Sequence, residues 1–365
     1  MILCRALACL VALTFVCEVR ADSLTDLASG RLAGAQAANA AKELQSDPDL
    51  ELLEVLQSMK DASLVNKNWL LAVAQSVADR DRSTAREDLE QFLPRLSEDS
   101  SARYWAFHFL TRDDQALREQ LLSSMLADPC LELRYEAVAL AMKQVEADKS
   151  LDKNARLSAY NSLLNAARLP EQVQAIAEEL GELGTEVDLL THFGFLTKWQ
   201  AVGPFDNVDG IGFGHVYAPE TAYSKGELDT KQTYKGKGGE VGWLPVSTES
   251  KDGAVNLSEV LKKEKGAVAY VAGEFQCGDD MDCELRIGSP NATVVWLNGK
   301  KVIEREVYHS GSQIDQYVAP VQLREGKNTL LIKSCQNEQT EPWAQDWSFQ
   351  LRFTDATGFA IQPAE

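Results

Sequence analysis

The sequence predicts a multidomain chain in which an α-solenoid of helical hairpins precedes an antiparallel β-sandwich. Only four of the 23 glycines lie before residue 190, and glycine weakens helices and marks turns. Apolar residues recur at helical spacing in the first half and in short strand-like runs in the second. The 365 residues exceed what one compact core holds and suit two domains.

The first 21 residues predict a secretory signal peptide that is cleaved. Arg5 stands near the start, an apolar run covers Ala6 to Val16, and Val19-Arg20-Ala21 forms a cleavage site of the small-x-small type. The run is shorter than the roughly 20 residues of a membrane-spanning helix. A lipoprotein cysteine at Cys17 is the less favoured alternative. We expect an exported protein that is periplasmic, extracellular or associated with the cell surface.

The chain is strongly acidic. Its formal net charge is −19, and loss of the predicted signal peptide, which carries one acidic and two basic residues, leaves −20. Such an excess repels phosphate backbones and anionic lipid headgroups. We therefore expect no nucleic-acid partner and no membrane insertion.

Four of the seven cysteines lie beyond the predicted signal peptide, at positions 130, 277, 283 and 335. Cys277 and Cys283 bracket a short acidic turn, which predicts a disulfide that staples a hairpin in an oxidising compartment. Zinc is less favoured because no further Cys or His lies at ligand spacing. The state of Cys130 and Cys335 is left open.

The helical half is predicted to span residues 22–190, with a linker at 191–197. Asp47-Pro48 and Asp128-Pro129 each place a capping acid before a proline, which predicts two helix starts. The predicted helical pairs lie near residues 48–60 with 64–79, 84–96 with 100–110, 113–126 with 130–145, and 152–167 with 171–183. This spacing is typical of stacked helical hairpins.

One segment of this half resembles a known repeat. Residues 127–138 read Ala-Asp-Pro-Cys-Leu-Glu-Leu-Arg-Tyr-Glu-Ala-Val, which is similar to HEAT-type α-solenoid repeats. The resemblance implies that the half is a solenoid of HEAT-like hairpins. A plain helical bundle is the alternative.

Short runs rich in Val, Tyr, Trp and Leu recur after residue 198 and predict strands. The predicted strands are residues 199–202, 267–275, 284–287, 293–297, 301–305, 318–323, 329–333 and 348–353. Asn298-Gly299 stands between two of these runs and predicts a tight hairpin. The sandwich is predicted to span residues 198–356, with a tail at 357–365.

Three stretches of this half carry a second resemblance. Residues Trp199 to Asn207, Val294 to Lys300 and Leu323 to Leu331 are similar to the galactose-binding-like jelly-roll module of exported bacterial multidomain proteins. The resemblance implies a jelly roll over about residues 197–355, which binds carbohydrate or serves in structural packing. It does not imply catalysis.

The candidate ligand-binding residues lie in loops of this half. Trp343 and Trp347 flank a proline-marked loop, and exposed indole rings stack on sugar rings. His309 and Asp315 lie in a polar loop after the hairpin, and Arg305 ends the strand before it. The favoured alternative is core or interdomain packing for the pair, with Trp347 a core residue that opens a strand and only Trp343 free to bind.

No cofactor is expected. Calcium is the less favoured alternative. Asp279, Asp280 and Asp282 are weak candidates for a cation site, and a solvated acidic turn is the favoured interpretation. No nucleophile motif and no singled-out pair of carboxylates is present, so the chain is predicted not to be an enzyme, with a hydrolase-associated role as the remaining option.

The function expected from these features is binding by an exported, non-catalytic protein. In the favoured hypothesis the sandwich recognises a carbohydrate or a cell-surface glycan. In the alternative the helical repeats form a protein-interaction scaffold, and the sandwich is a structural module. Exposure of Trp343 separates the two hypotheses, because burial against the solenoid favours the scaffold.

Overall fold

The computed structural model describes residues 23–60 and 62–364. The predicted signal peptide lies outside the described residues. The chain divides into two compact units, one up to Ala167 and one from Arg168 onward. No helix in the described ranges is both long enough and apolar enough to span a membrane.

The first unit is built from helices in its described residues. They are α1 (23–29), α2 (Ala35–Ser46), α3 (Leu52–Gln57), α4 (Leu64–Ala78), α5 (Arg82–Phe92), α6 (Ser100–Thr111), α7 (Gln115–Leu122), α8 (Leu131–Ala147) and α9 (Lys153–Ala166). Aspartates cap four of them, because the carboxylates of Asp81, Asp99, Asp114 and Asp152 accept hydrogen bonds from N–H groups of the first turn.

The two Asp-Pro pairs do not begin helices, contrary to the sequence prediction. Asp47-Pro48 lies in a turn before α3, and α8 begins at Leu131. The carboxylate of Asp128 is not free to cap α8 because Arg103 binds it, although its Oδ1 also accepts from the N–H of Cys130.

Three sequence-adjacent pairs of helices pack together, α3 with α4, α5 with α6 and α7 with α8, while α2 packs on α4 and α9 packs on α8. The second members of these pairs also pack on one another, α4 on α6 and α6 on α8. The shared apolar core includes Leu70, Phe92, Phe107 and Leu133. Three of the predicted helical pairs agree with this arrangement, whereas the fourth straddles the division between the two units.

A buried ion pair joins the loops around α6. Arg103 is 1% exposed, and its Nη1 and Nη2 donate to Oδ1 and Oδ2 of Asp128 at 2.6 and 2.7 Å. Its Nε donates to the carbonyl of Leu93 at 3.0 Å. One side chain therefore fixes both the end of α5 and the approach to α8.

The second unit begins with α10 (Pro170–Glu182) and α11 (Leu189–Phe193) and continues mainly as strands. The strands are β1 (Lys198–Asp206), β2 (Thr233–Gly236), β3 (Gly239–Gly242), β4 (Leu244–Ser247), β5 (Val255–Asn256), β6 (Ala267–Cys277), β7 (Met281–Gly288), β8 (Ala292–Leu297), β9 (Lys300–Arg305), β10 (Tyr317–Leu323), β11 (Gly326–Gln336) and β12 (Ser348–Thr354). Three short helices interrupt them, α12 (Ile211–Gly214), α13 (Ala218–Ser224) and α14 (Ser258–Leu261).

The strands form two main antiparallel sheets and a separate β2–β3 hairpin. The six-stranded sheet has the order β4-β1-β6-β11-β8-β9, and the four-stranded sheet has the order β10-β7-β12-β5. Both contribute to one core, with Val271 and Ile332 from the larger sheet and Leu285 and Phe349 from the smaller. The predicted hairpin is confirmed, because Asn298-Gly299 joins β8 to β9 with φ of 50° and 81°.

The structure does not contain the predicted Cys277–Cys283 disulfide, and the described cysteines are buried free thiols. The two strands are not a hairpin: β6 belongs to the six-stranded sheet and β7 to the four-stranded sheet. The exposed connection of residues 278–280 leads from one sheet to the other, and the Sγ of Cys277 donates to the carbonyl of Asp279 at 3.2 Å.

The segment between β1 and β4 covers part of the outer face of the six-stranded sheet. Lys333 of β11 is buried beneath it, and its Nζ donates to the carbonyls of Phe213 and His215, both at 2.7 Å. The same Nζ lies 3.4 Å from the carboxylate of Glu220. This lysine fastens the covering segment beside one end of the sheets.

The buried pair in the helical unit gives the first prediction. Arg103→Met should lower the free energy of unfolding by about 3–5 kcal/mol, because it leaves the carboxylate of Asp128 buried without its cation. Arg86→Met, which breaks an exposed pair with Glu90, should change stability by less than about 0.5 kcal/mol. Urea denaturation of the full chain measures both, and equal effects would contradict the assignment.

Candidate functional site

Loops from four strands meet at one end of the sheets of the second unit. The N–H of Asn207, after β1, donates to the carbonyl of Gly266 at 2.8 Å, and the N–H of Gly266 donates to the carbonyl of Asn337, after β11, at 2.8 Å. The Nδ2 of Asn207 also reaches Oη of Tyr308, after β9, at 3.2 Å. We call the surface formed by Tyr308, His309, Asn337 and Trp343, together with the buried Asn207 that links their loops, the loop-end site.

Trp343 lies on a short 3₁₀ turn, Pro342–Ala344, and its side chain is 60% exposed. The turn is held from below, because the Nζ of Lys265 donates to the carbonyl of Ala344 at 2.5 Å. The Nε2 of Gln345 donates to the carbonyl of Thr340 at 2.7 Å. The indole ring is therefore presented to solvent on a well-supported backbone.

His309 stands beside the indole. The ring centroids of His309 and Trp343 are 5.2 Å apart and the planes are nearly perpendicular. The Nε2 of His309 lies 2.7 Å from the Oδ1 of Asn337. That oxygen also accepts from the N–H of Gln339, and the Nδ2 of Asn337 donates to Gln339. Because the Oδ1 of Asn337 accepts, the Nε2 of His309 carries a proton in this hydrogen bond, and Nδ1 takes no part in the network.

The backbone at this end is strained. Left-handed φ values are uncommon outside glycine, and five non-glycine residues adopt them in the described ranges, four of them in connections at this end of the sheets. The four are Asp209, Lys262, His309 and Asp315. His309 is the one of these four that belongs to the loop-end site, and a strained backbone is a feature that many ligand-binding sites share.

Trp347 does not belong to the site, contrary to its inclusion among the candidate ligand-binding residues. It is 1% exposed and lies in the core between the sheets, with its Nε1 donating to the Oγ of Ser334 at 3.1 Å. The alternative assignment to the core describes it correctly. Of the two tryptophans, only Trp343 is exposed to solvent and able to contact a ligand.

Asp315 is also unavailable to a ligand. Its Oδ2 accepts from the Nη1 of Arg286 at 2.7 Å, and its Oδ1 accepts from the Nε of Arg352 at 2.8 Å. Burial by itself would raise the pKa of Asp315, but the hydrogen bonds and charges of Arg352 and Arg286 outweigh it and hold the pKa below its usual value. The carboxylate is a structural anchor for its loop.

The remaining candidates lie elsewhere. Arg305 is on the edge strand β9, with its guanidinium 5.6 Å from the ring centre of Tyr317. The Oδ1 of Asp280 accepts from the N–H of Glu325 at 2.7 Å, so this acid fastens a turn. In the part of the chain that the structure describes, no group of three His, Cys, Asp or Glu side chains is placed to hold a metal. Asp279 and Asp282 therefore belong to no such group.

Sequence reasoning missed three residues of the site. Asn207, Tyr308 and Asn337 each follow the last residues of a predicted or observed strand, and no local motif marks them. Asn207 was the last residue of the stretch used for the jelly-roll resemblance. Its complete burial, which makes it a link between loops, is visible only in three dimensions.

Comparisons with known proteins give weak likenesses. No family model matches the chain, and no curated protein matches it. A beta-glucosidase from Kluyveromyces marxianus in complex with glucose is 11% identical, with 31% of this chain aligned to 14% of that chain and a TM-score of 0.24. A GH26-CBM35 β-(1,4)-mannanase from Podospora anserina is 16% identical, over 31% and 25% of the two chains, with a TM-score of 0.17. A GH31 α-xylosidase from Xanthomonas citri is 13% identical, over 44% and 16%, with a TM-score of 0.17.

The prediction that the protein is not an enzyme is not supported, since the solved structures with these weak likenesses belong to glycoside hydrolases. The prediction treated the lack of a local motif as a lack of catalysis. The carboxylate pairs of such enzymes need no fixed local motif. The likenesses span a quarter or less of those chains and assign no reaction to this one.

The carboxylate of Asp315, which Arg286 and Arg352 bind, gives the second prediction. Asp315→Asn should destabilise the second unit by about 3–5 kcal/mol at pH 7, because two arginines lose their shared partner. A lowered pKa in the folded state means that the stabilisation is present above the unfolded value of about 3.9 and disappears as pH falls through the lower folded value. The difference between variant and wild type should therefore shrink in acid.

Thermal unfolding at pH 7 and near pH 3 tests this, with Asp279→Asn as the matched control on an exposed acid. The control should alter stability by less than about 0.5 kcal/mol at both pH values. If Asp315→Asn lowers stability by the same amount at both pH values, the two arginines do not stabilise the ionised form of Asp315.

Proposed function

We propose that the second unit of this exported protein binds a neutral or basic saccharide at the loop-end site. In this proposal the second unit is a galactose-binding-like jelly roll, and the first is a solenoid of HEAT-like hairpins. Trp343 supplies the surface on which a sugar ring stacks. The groups around His309 and Asn337 supply the hydrogen bonds that orient the ring.

The observation that carries the proposal is the exposed indole of Trp343 beside fixed polar groups. Sugar rings present apolar C–H faces and polar edges, and sites that bind them combine an aromatic surface with a few placed donors and acceptors. The Nδ1 of a neutral His309 can accept from a sugar hydroxyl.

Charge favours uncharged or basic sugars over anionic ones. The net charge is −19, and the exposed carboxylates of Glu338 and Glu341 lie in the same loop as Trp343. A negative field repels uronates and sulfated chains.

The scaffold alternative assigns binding to the helical unit and a structural role to the sandwich. It requires Trp343 to be a packing residue, whereas 60% exposure favours a binding role. The scaffold becomes the better account if no saccharide binds.

The third prediction concerns affinity. Trp343→Ala should weaken saccharide binding by about 1 kcal/mol or more, roughly fivefold, because the stacking surface is lost. The melting temperature should stay nearly unchanged, since an exposed aromatic contributes little to the core. Calorimetric titration of the full chain against a panel of neutral, amino and acidic oligosaccharides measures the effect.

Phe359→Ala is the matched control, because Phe359 is an aromatic residue of the same unit that is 55% exposed and whose ring lies under the guanidinium of Arg168. It should leave affinity unchanged. The proposal fails if no saccharide binds at millimolar concentration, or if Trp343→Ala melts the unit.

A further inference from the structure

A groove lies on the outer face of the six-stranded sheet, where the segment between β1 and β4 leaves four strands uncovered. Its volume is about 1130 Å³, slightly above the 300–1,000 Å³ typical of ligand pockets. Its floor carries Gln200 of β1, Ser247 of β4, Glu274 of β6 and Lys327 of β11, and residues 228–230 form a wall. We call it the sheet-face groove.

The groove is a different surface from the loop-end site. The residues that line it do not include those of the loop-end site. Tyr223 borders it, and the Oη of Tyr223 donates to the carbonyl of Thr329 at 2.8 Å, which fixes the covering segment at the edge of the groove. The four strands span about 14 Å at the usual spacing of about 4.8 Å, enough for a short chain of sugar rings.

The charges in the groove balance, although the chain as a whole is acidic. Two lysines, Lys198 and Lys327, and two acids, Asp229 and Glu274, line the groove, and Lys327 and Glu274 form an ion pair. The charged residues that line the groove therefore sum to zero. An anionic or cationic polymer would gain little from a groove with two charges of each sign.

Several polar side chains of the groove are available for hydrogen bonds. The side chains of Gln200, Thr230 and Ser247 form no hydrogen bond with any part of the chain that the structure describes, and Ala272 and Pro245 supply apolar floor between them. Alternating polar and apolar patches suit a ligand that presents hydroxyls and C–H faces.

A peptide added as a strand fits this groove less well. Its open side is the edge strand β4, and β4 contains Pro245. Proline lacks the N–H that strand addition needs and protects sheet edges from pairing. The floor of side chains is the remaining contact surface, and it favours a ligand that binds through side chains.

We propose that the sheet-face groove is a second saccharide-binding site, which takes an uncharged oligosaccharide chain laid across β4, β1, β6 and β11. It acts independently of the loop-end site. Gln200 supplies the central hydrogen bonds, because its amide carries both donors and an acceptor and lies on the middle of the floor.

The test counts binding sites on the full chain. Uncharged hexasaccharides of glucose, mannose, galactose and xylose are titrated by calorimetry, and the best binder is used for the variants. We expect two equivalents for wild type, one for Trp343→Ala, and at least fivefold weaker binding of the second equivalent for Gln200→Leu. Gln322→Leu, an exposed glutamine on β10 of the other sheet, is the matched control and should change nothing.

The outcomes separate this proposal from the proposed function. Two results would reject the groove as a binding site. In the first, wild type binds one equivalent of saccharide and Trp343→Ala binds none. In the second, the affinity of Gln200→Leu stays within twofold of that of wild type. Binding that Gln200→Leu removes and Trp343→Ala leaves intact supports the groove and rejects the loop-end site. If Gln200→Leu does not fold, Ser247→Trp replaces it. The new indole fills the groove from an exposed position on the edge strand, and we again expect at least fivefold weaker binding of the second equivalent. Absence of binding by every hexasaccharide at millimolar concentration overturns the proposal.

Discussion

Burial of Trp347 fixes the position of Trp343, and the candidate site depends on this link. The buried indole donates to Ser334 and fills the core between the sheets. The carbonyl of Asp346, next to it, accepts from both Asn291 and Gln336. The loop between the two tryptophans is thereby held at its end, so Trp343 is presented without the ordering that a flexible loop would need. Preorganisation of this kind raises affinity because less entropy is lost on binding.

Buried cations organise the loops in both units of this acidic chain. In the first unit Arg103 binds a carboxylate and a carbonyl of two different loops. In the second, Lys333 holds two carbonyls of the covering segment, and Arg352 holds both Asp315 and the carbonyl of Phe193. Each cation satisfies groups that a buried loop would otherwise leave unpaired. The scarce basic residues inside the protein therefore set where its loops lie.

The sequence predicted the long elements and missed contacts between distant segments. Helical spacing and strand-like runs located helices α3 to α9 of the first unit and the eight longer strands, because those patterns are local, whereas α1 and α2 were not predicted. Strands β2 to β5 are short and lack a recognisable run, so they were not predicted. The short turn between Cys277 and Cys283 predicted a hairpin, because the local sequence does not show that β7 belongs to the other sheet. The partners of Asp315 lie 29 and 37 residues away along the chain, which no local pattern shows.

The account rests on saccharide contact at Trp343, and the indole N–H signals of the seven tryptophans report that contact directly. A chemical-shift titration of the full chain with the best-binding saccharide should move the Trp343 signal progressively. The signal of Trp347, buried in the core, should stay in place. A titration that leaves the Trp343 signal unmoved while the saccharide binds would contradict the account.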